Sequence, residues 1–345
     1  MNQLDQFAHL TKKSLLCSLL GLAGLALNSP PGHAQEPSWP ERPIKLMVGY
    51  PPGGGTDTVA RILAEQLTKR MGESVVVENR PGASGMIATL AVARSKPDGY
   101  SLIFATGASL TAPAVSAQIN GREFDSLRDL QPITFIGGGP YILIANKDFP
   151  PNTLAELVAY AKKHPDSVNY ASPGKETFNY LLLEGFNIDA GIQTTHVPYK
   201  GSSELMHNLV AGYVQYTLET PGTTLPLIQE GKVKTIALLS EKRLPKLNSV
   251  PTAVEQRYPS LVGGSWYGVL APAGTPEDVV RKLNAEIVAV LKTPEVMEIF
   301  DKREITVAGS SPTEFTDFIK SEMLKRKTIV EKINKAATNN EATPK

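Results

Sequence analysis

Cysteine is almost missing from this sequence: Cys17 is the only one among 345 residues, and it falls in an amino-terminal segment expected to be removed. Without thiols the remaining chain has no disulfide, no cysteine nucleophile and no thiolate metal site, a composition that suits an oxidising compartment. Histidine is scarce too. Past that segment only His164, His196 and His207 remain, with no H-E-x-x-H pattern and no pairing at metal-ligand spacing, so no metal is expected. Neither sign of charge dominates: 35 basic residues stand against 34 acidic, and dropping Lys12, Lys13 and Asp5 with the leader makes the two equal. Nucleic acid and anionic membrane surfaces normally demand a basic excess and are excluded as partners. Gly53-Gly54-Gly55 lacks the G-x-G-x-x-G spacing of a dinucleotide site, and no cofactor is expected. Gly263-Gly264-Ser265-Trp266-Tyr267 puts tyrosine where a nucleophile elbow needs its last glycine. His196, beside a strand, reads as a structural histidine rather than a base, and no catalytic residue is assigned.

Long apolar runs are also few. Leu15 to Leu27 is one, preceded by Lys12 and Lys13 and followed by Gly32-His33-Ala34, small residues at both positions a signal peptidase reads. The run is shorter than the roughly 20 residues that cross a bilayer as a stable helix, so residues 1–34 read as a cleaved export leader, with an amino-terminal membrane anchor the alternative. Leu16 stands where a lipoprotein signal wants a small residue, which argues against lipidation at Cys17. Beyond Ala34 there is no second such run, no low-complexity block and no fixed-period repeat, and the length suffices for two domains.

What the sequence does have is glycine loops between strands and helices. Ile44 to Val48 is an apolar strand, followed by Tyr50-Pro51-Pro52-Gly53-Gly54-Gly55-Thr56-Asp57 and a helix to about Arg70 with Val59, Leu63 and Leu67 on one stripe. Prolines make the approach rigid, and glycines let several N–H groups turn to one point at a helix start, where the first N–H groups lack partners and the dipole is positive. Such a loop is built to hold an anion, although a plain glycine turn between strand and helix is the alternative. Thr56 or Asp57 is placed to cap the helix. Strands at 75–78 and 100–105 flank a helix at 86–95, and strand-helix alternation implies parallel pairing with helices outside. The third strand enters Thr106-Gly107-Ala108-Ser109, which should lie beside the first loop, because ligands gather outside the carboxyl ends of parallel strands.

Extended runs at 133–136 and 141–145 flank Gly137-Gly138-Gly139-Pro140, read as a passage between domains or merely a bend. Thr153 and Glu156 have capping-box spacing. A strand at 168–171 leads into Ser172-Pro173-Gly174-Lys175-Glu176-Thr177 and a helix from Phe178, the same construction as the opening loop. Lys175 would add a full charge for a carboxylate, or is simply solvated. This is not a P-loop, because Asn169 stands where its first glycine belongs. A strand at 193–197 precedes Tyr199 and a helix at 204–210. Glu219 ends another strand, placed to accept a ligand amine, to order water or to remain structural. Residues 263–270 read as the return passage, with Trp266 either in the core or lining the cleft. Thr275-Pro276, Thr293-Pro294 and Ser311-Pro312 start tail helices that should pack on the first domain. Residues 336–345, polar throughout, read as a disordered end.

Arg42-Pro43-Ile44, the loop Pro51 to Asp57, Val77-Glu78-Asn79-Arg80-Pro81-Gly82-Ala83, Pro97-Asp98-Gly99-Tyr100, His196-Val197-Pro198-Tyr199-Lys200-Gly201 and Ala271-Pro272-Ala273-Gly274-Thr275-Pro276 occur in an order that resembles the substrate-binding proteins of tripartite tricarboxylate transporters, the Bug family. The resemblance implies a type II periplasmic binding fold: two α/β domains, 35–136 with 268–345 and 137–267, joined by two crossing strands around a cleft. It also implies a monomer that binds a small carboxylate and delivers it to the membrane permease subunits. The ligand would be gripped by Tyr50, Pro52, Gly53, Gly54, Gly55, Thr56 and Asp57 from one side and Ser172, Gly174, Lys175 and Thr177 from the other, with ordered water between. Thr106, Ser109, Tyr199 and Glu219 match positions near that cleft. Where the family commonly has a small, glycine- and serine-rich second loop followed by histidine, this chain has Lys175-Glu176-Thr177-Phe178-Asn179-Tyr180. That departure leaves open a dicarboxylate, an aromatic acid or an amino acid. The same cleft would serve a sensory module, whereas a hydrolase or transferase would need a nucleophile and base that the sequence does not present.

Overall fold

The computed structural model describes residues 39–111, 118–119, 122–165, 167–175 and 177–341. The expected leader, 1–34, lies outside them. Strand β1 (Ile44–Val48) is buried at four of its five positions. It turns through the glycine loop into helix α1 (Gly55–Met71), which buries Val59, Ala60, Leu63, Ala64 and Leu67 on the predicted stripe and stops at Gly72 in a left-handed conformation (φ 75°). Strand β2 (Val75–Asn79), helix α2 (Met86–Ala93) and strand β3 (Ser101–Thr106) follow. Both β2 and β3 pair parallel to β1, one on each side. This is the βαβαβ arrangement that strand-helix alternation implies, and it brings the carboxyl ends of β1 and β3 to one edge.

Strand β4 (Leu130–Pro140) carries the chain out of this sheet, and after Tyr141 strand β5 (Ile142–Asn146) already belongs to a second one. That sheet is completed by β6 (Asn169–Ser172), β7 (Thr195–Pro198), β8 (Tyr216–Glu219) and β9 (Val233–Leu238), in the order β9-β5-β8-β6-β7. Helices α3 (Leu154–Lys163), α4 (Phe178–Ala190), α5 (Ser202–Ala211) and α6 (Pro221–Gln229) connect its strands. Strand β10 (Gly264–Pro272) returns antiparallel to β4. With β11 (Thr306–Val307) at the edge, the first sheet reads β11-β4-β10-β3-β1-β2. The chain thus forms two α/β layers joined through the paired strands β4 and β10. Glycine at 138 is needed there for close approach, since a Cβ would lie 2.6 Å from the Ser265 carbonyl oxygen.

Helices α7 (Glu277–Leu291) and α8 (Pro294–Lys302) follow, and the last helix, α9 (Pro312–Glu341), departs from expectation twice. Of the expected disordered end, residues 336–341 are helical while 342–345 lie outside the described residues, and the helix does not stay with the first sheet. Phe315 and Ile319 are fully buried in the core under that sheet, while Ile329, Val330 and Ile333 pack on the core of the second. Lys332 also pairs with Asp189 of α4 at 2.6 Å. Apolar residues at 319, 323, 329, 330 and 333 recur at helical spacing, so polar composition concealed an amphipathic helix.

Two buried apolar clusters support the second sheet, one on each face. Under the first sheet, β10 carries Gly268 where an added Cβ would overlap the Phe315 ring, which is itself fully buried. Gly268→Ala should therefore cost about 1–3 kcal/mol by overpacking. Combining it with Phe315→Leu should recover part of that loss, as read from urea unfolding of the two single variants and the double; strictly additive losses would show that ring and glycine do not compete for one space.

Candidate binding site

The first glycine loop is held by a carboxylate. Asp57, 2% exposed, accepts from the Gly53 N–H at 2.9 Å, from Arg61 Nε at 2.8 Å and from Asn79 Nδ2 at 2.8 Å. Burial pushes its pKa up, but hydrogen bonds from Arg61, Asn79 and Gly53 outweigh that and leave it below the usual carboxylate range. Asn79 also donates to the Tyr50 carbonyl at 3.0 Å, tying both ends of the loop to β2. Helix α1 is capped at Gly54 without a side-chain bond, and Thr58 N–H closes its first turn on the Gly54 carbonyl. The N–H groups of Gly55 and Thr56 accordingly have no intrahelical acceptor, and residues 51–55 are exposed. Gly53, with φ 80°, takes a conformation that suits glycine.

Beside this loop, the Tyr50 hydroxyl donates to the Ser84 carbonyl at 3.2 Å and meets Thr106 Oγ1 at 2.9 Å. A carbonyl only accepts, so the phenol proton goes to Ser84 and Thr106 donates to the phenol oxygen. Ala83 and Ser84, with φ 46° and 53°, form a strained pair that presents this carbonyl. Ser109 is 1% exposed, and its hydroxyl donates to the Thr106 carbonyl at 2.9 Å and accepts from the Thr106 N–H at 3.0 Å. It fixes the end of β3.

The second loop is built from its own hydroxyls. Ser172, fully buried, accepts from the Gly174 N–H at 3.1 Å and lies 2.7 Å from His196 Nε2. Gly174 has φ 133°. Thr177 donates to the Gly174 carbonyl at 2.7 Å and caps α4 by accepting from Tyr180 N–H at 3.4 Å. The Ser172 and His196 pair has the composition of a nucleophile and base, but its serine is sealed inside the loop it holds together. Lys175 is exposed. Tyr180 packs on His196 with ring centroids 4.7 Å apart, and Phe178 is buried. Tyr199 N–H extends the β6–β7 edge to the Ser172 carbonyl at 3.0 Å, and its half-buried ring packs against the core beside α5.

Side chains of the two layers meet at a buried junction on the crossing strands. Tyr141, in the link between β4 and β5, and Tyr267, on β10, are both within electrostatic reach of Tyr50 from the first layer and Glu219 from the second. Burial raises both phenols, Tyr267 to about 12, with Ser265 and Thr56 hydrogen bonds opposing the rise. Glu219 is 3% exposed, and one carboxylate oxygen, Oε1, has no hydrogen-bond partner among the described residues. Burial pushes its pKa up to about 7 against opposing hydrogen bonds from Ser202 and the Thr220 backbone. Tyr50, Thr56, Thr106 and Glu219 are therefore gathered around two tyrosines that sequence reasoning did not single out.

Arg326 is the other residue missed. It projects from α9 and is 4% exposed, with Nε and Nη1 lacking a hydrogen-bond partner among the described residues. Its guanidinium carbon stands 4.5 Å from the Phe178 ring centroid. Burial lowers its pKa to about 10, which still leaves it charged at neutral pH. The available signal was position: Arg326 lies on the apolar stripe of α9, between Ile319 and Met323 on one side and Ile329 and Ile333 on the other. Trp266, placed either in the core or at the cleft from sequence, is core: it is 4% exposed, packs edge-on against Phe315 and Phe318, and donates to Glu322 at 3.3 Å.

Residues 59–335 match the family described as tripartite tricarboxylate transporter family receptor, TctC. Protein BugT of Bordetella pertussis is 34% identical over 286 residues, covering 83% of this chain and 87% of that protein. Among solved structures, MatC from Rhodopseudomonas palustris with bound malate aligns at a TM-score of 0.76 and 31% identity, covering 85% of this chain and 100% of that one. Rpa4515 of R. palustris with adipate gives a TM-score of 0.79 at 30% identity, covering 86% and 98%. Family match, relative and solved structures extend over nearly all of the described residues and share the fold of periplasmic binding proteins, and the chain belongs to the tripartite tricarboxylate transporter receptor family.

Proposed function

We propose that this protein is a periplasmic receptor that takes a small carboxylate into the cleft between its two layers and delivers it to the membrane permease of a tripartite tricarboxylate transporter. The observation that carries this is the set of first-turn N–H groups on α1, at Gly55 and Thr56, left without intrahelical acceptors beside the Tyr50–Thr106 pair. A carboxylate suits that position, with charge-assisted hydrogen bonds and the helix dipole replacing the water it loses. Malate in MatC and adipate in Rpa4515 support the ligand class. Tyr141 and Tyr267 bring the influence of Glu219, from the second layer, to the same place, so a guest touching both sides favours the closed form.

In this reading the two lobes are 35–136 with 268–345 and 137–267, with the far end of α9 resting on the second. They rock about β4 and β10, a leader ending at Ala34 directs export, and the mature receptor works as a monomer. No bond is made or broken; Ser172 and His196 hold the second loop. Calorimetry of the chain from residue 35 onward, titrated with mono- and dicarboxylates, should give saturable binding with the ligand recovered unchanged. Turnover of the bound acid, or no binding across the series, would contradict the reading.

Two variants sharpen it. Gly54 has φ −74° and room for a Cβ, whose nearest neighbour would be the Pro51 carbonyl at 3.5 Å. Gly54→Val should leave the melting temperature nearly unchanged and weaken carboxylate affinity by roughly tenfold or more, because its branches crowd the approach to the free N–H groups. Unchanged affinity would remove the loop from the site. For Glu219, a folded pKa of about 7 against an ordinary 4.5 means that the apo protein loses stability as pH rises between those values and stays flat above, on the order of 3 kcal/mol in all. The same ionisation puts a negative charge into the cleft, so monocarboxylate affinity should fall roughly threefold or more between pH 6 and 8.5. Glu219→Gln should flatten both profiles, and retention of either slope in that variant would locate its cause elsewhere.

A further inference from the structure

We propose that Arg326 is the specificity-determining residue of the cleft, its guanidinium providing the counter-charge for a second anionic group on the ligand and so favouring dicarboxylates over monocarboxylates. The inference rests on the carboxylate reading above and says which carboxylates. A guanidinium removed from water without a paired anion is among the costliest arrangements a protein can keep, and Arg326, whose Nε and Nη1 make no hydrogen bond among the described residues, has donors ready for a planar, two-oxygen acceptor.

Placement supports use by the ligand rather than a role within α9. Groups from both binding edges surround the guanidinium. Gly107, directly after the Thr106 end of β3, is close enough that a Cβ there would lie 3.1 Å from Arg326 Nη2. From the other layer comes Phe178, the first residue of α4, over whose ring the guanidinium carbon stands. Tyr50 and Tyr141 are both within its electrostatic reach. The amino-terminal end of α4 carries partial positive charge of its own, so cation and helix end repel until an anion enters between them. Glu322, one turn earlier on α9, acts on Arg326 only through space, and its carboxylate accepts from Trp266 instead. The first carboxylate would sit at the start of α1 and the second at Arg326, joining the glycine loop to the tail helix that spans both layers.

The test compares wild type with Arg326→Met and Arg326→Lys, titrated calorimetrically with linear dicarboxylates of four to six carbons and with the monocarboxylates of equal length. Wild type should prefer a dicarboxylate by at least thirtyfold. Arg326→Met should lose that preference while its affinity for the matched monocarboxylate stays within about threefold, and its apo melting temperature should hold or rise, because a buried unpaired charge has gone. Arg326→Lys should retain an intermediate preference through its point charge. If Arg326→Met weakens both ligand classes equally, or lowers the apo melting temperature and leaves the preference intact, the residue is structural and the proposal is overturned. Wild type that binds mono- and dicarboxylates alike would also overturn it while leaving the carboxylate reading in place; wild type that binds neither would overturn both.

Discussion

A helix cannot satisfy the N–H groups of its own first turn, and this protein leaves such groups open where a loop of glycines reaches the start of α1. Everything else about the site is a consequence of keeping those donors exposed yet fixed. A loop of three glycines left to itself would sample many backbone states and lose its aim. Asp57 prevents that by drawing Gly53 N–H, Arg61 and Asn79 onto one buried carboxylate. Ser172 and Thr177 do the equivalent work in the second loop. The Asp57 carboxylate and the Ser172 and Thr177 hydroxyls all make hydrogen bonds inside the loops they belong to.

The second constraint is electrostatic. Two ionisable groups, Glu219 and Arg326, are buried near the crossing strands, each with polar atoms that have no hydrogen-bond partner among the described residues. Natural folds rarely leave buried polar atoms unpaired, so each such atom calls for a cause. Tyr141 and Tyr267, both buried, lie within electrostatic reach of Glu219, and each such ring joins an apolar body to a polar tip. On the proposed reading, such a set of groups would discriminate by how completely a guest satisfies its donors and acceptors rather than by size alone.

Much of this was legible in the sequence, for identifiable reasons. Strand-loop-helix alternation from Ile44 to Thr106 fixed the first parallel layer, because hydrophobic period and glycine placement agree there. The two glycine loops were visible because glycine and proline act locally. What was not legible depends on distance in sequence. Tyr141 and Tyr267 matter through pairing of β4 with β10, more than a hundred residues apart, and nothing local marks them. Arg326 sits in a helix whose far end looked disordered by composition, yet the spacing of Ile319, Met323, Ile329 and Ile333 placed it on a buried face. The Asp57 carboxylate serves Gly53, Arg61 and Asn79, a network that needs β2 in place and that no local pattern marks.

The most direct measurement is a crystal structure of the chain from residue 35 onward grown with a saturating four-carbon dicarboxylate. The account requires one carboxylate within hydrogen-bond distance, about 3 Å, of the Gly55 or Thr56 N–H, and the same molecule in contact with groups from the second layer. A ligand held by one layer alone, or bound away from the start of α1, would contradict it.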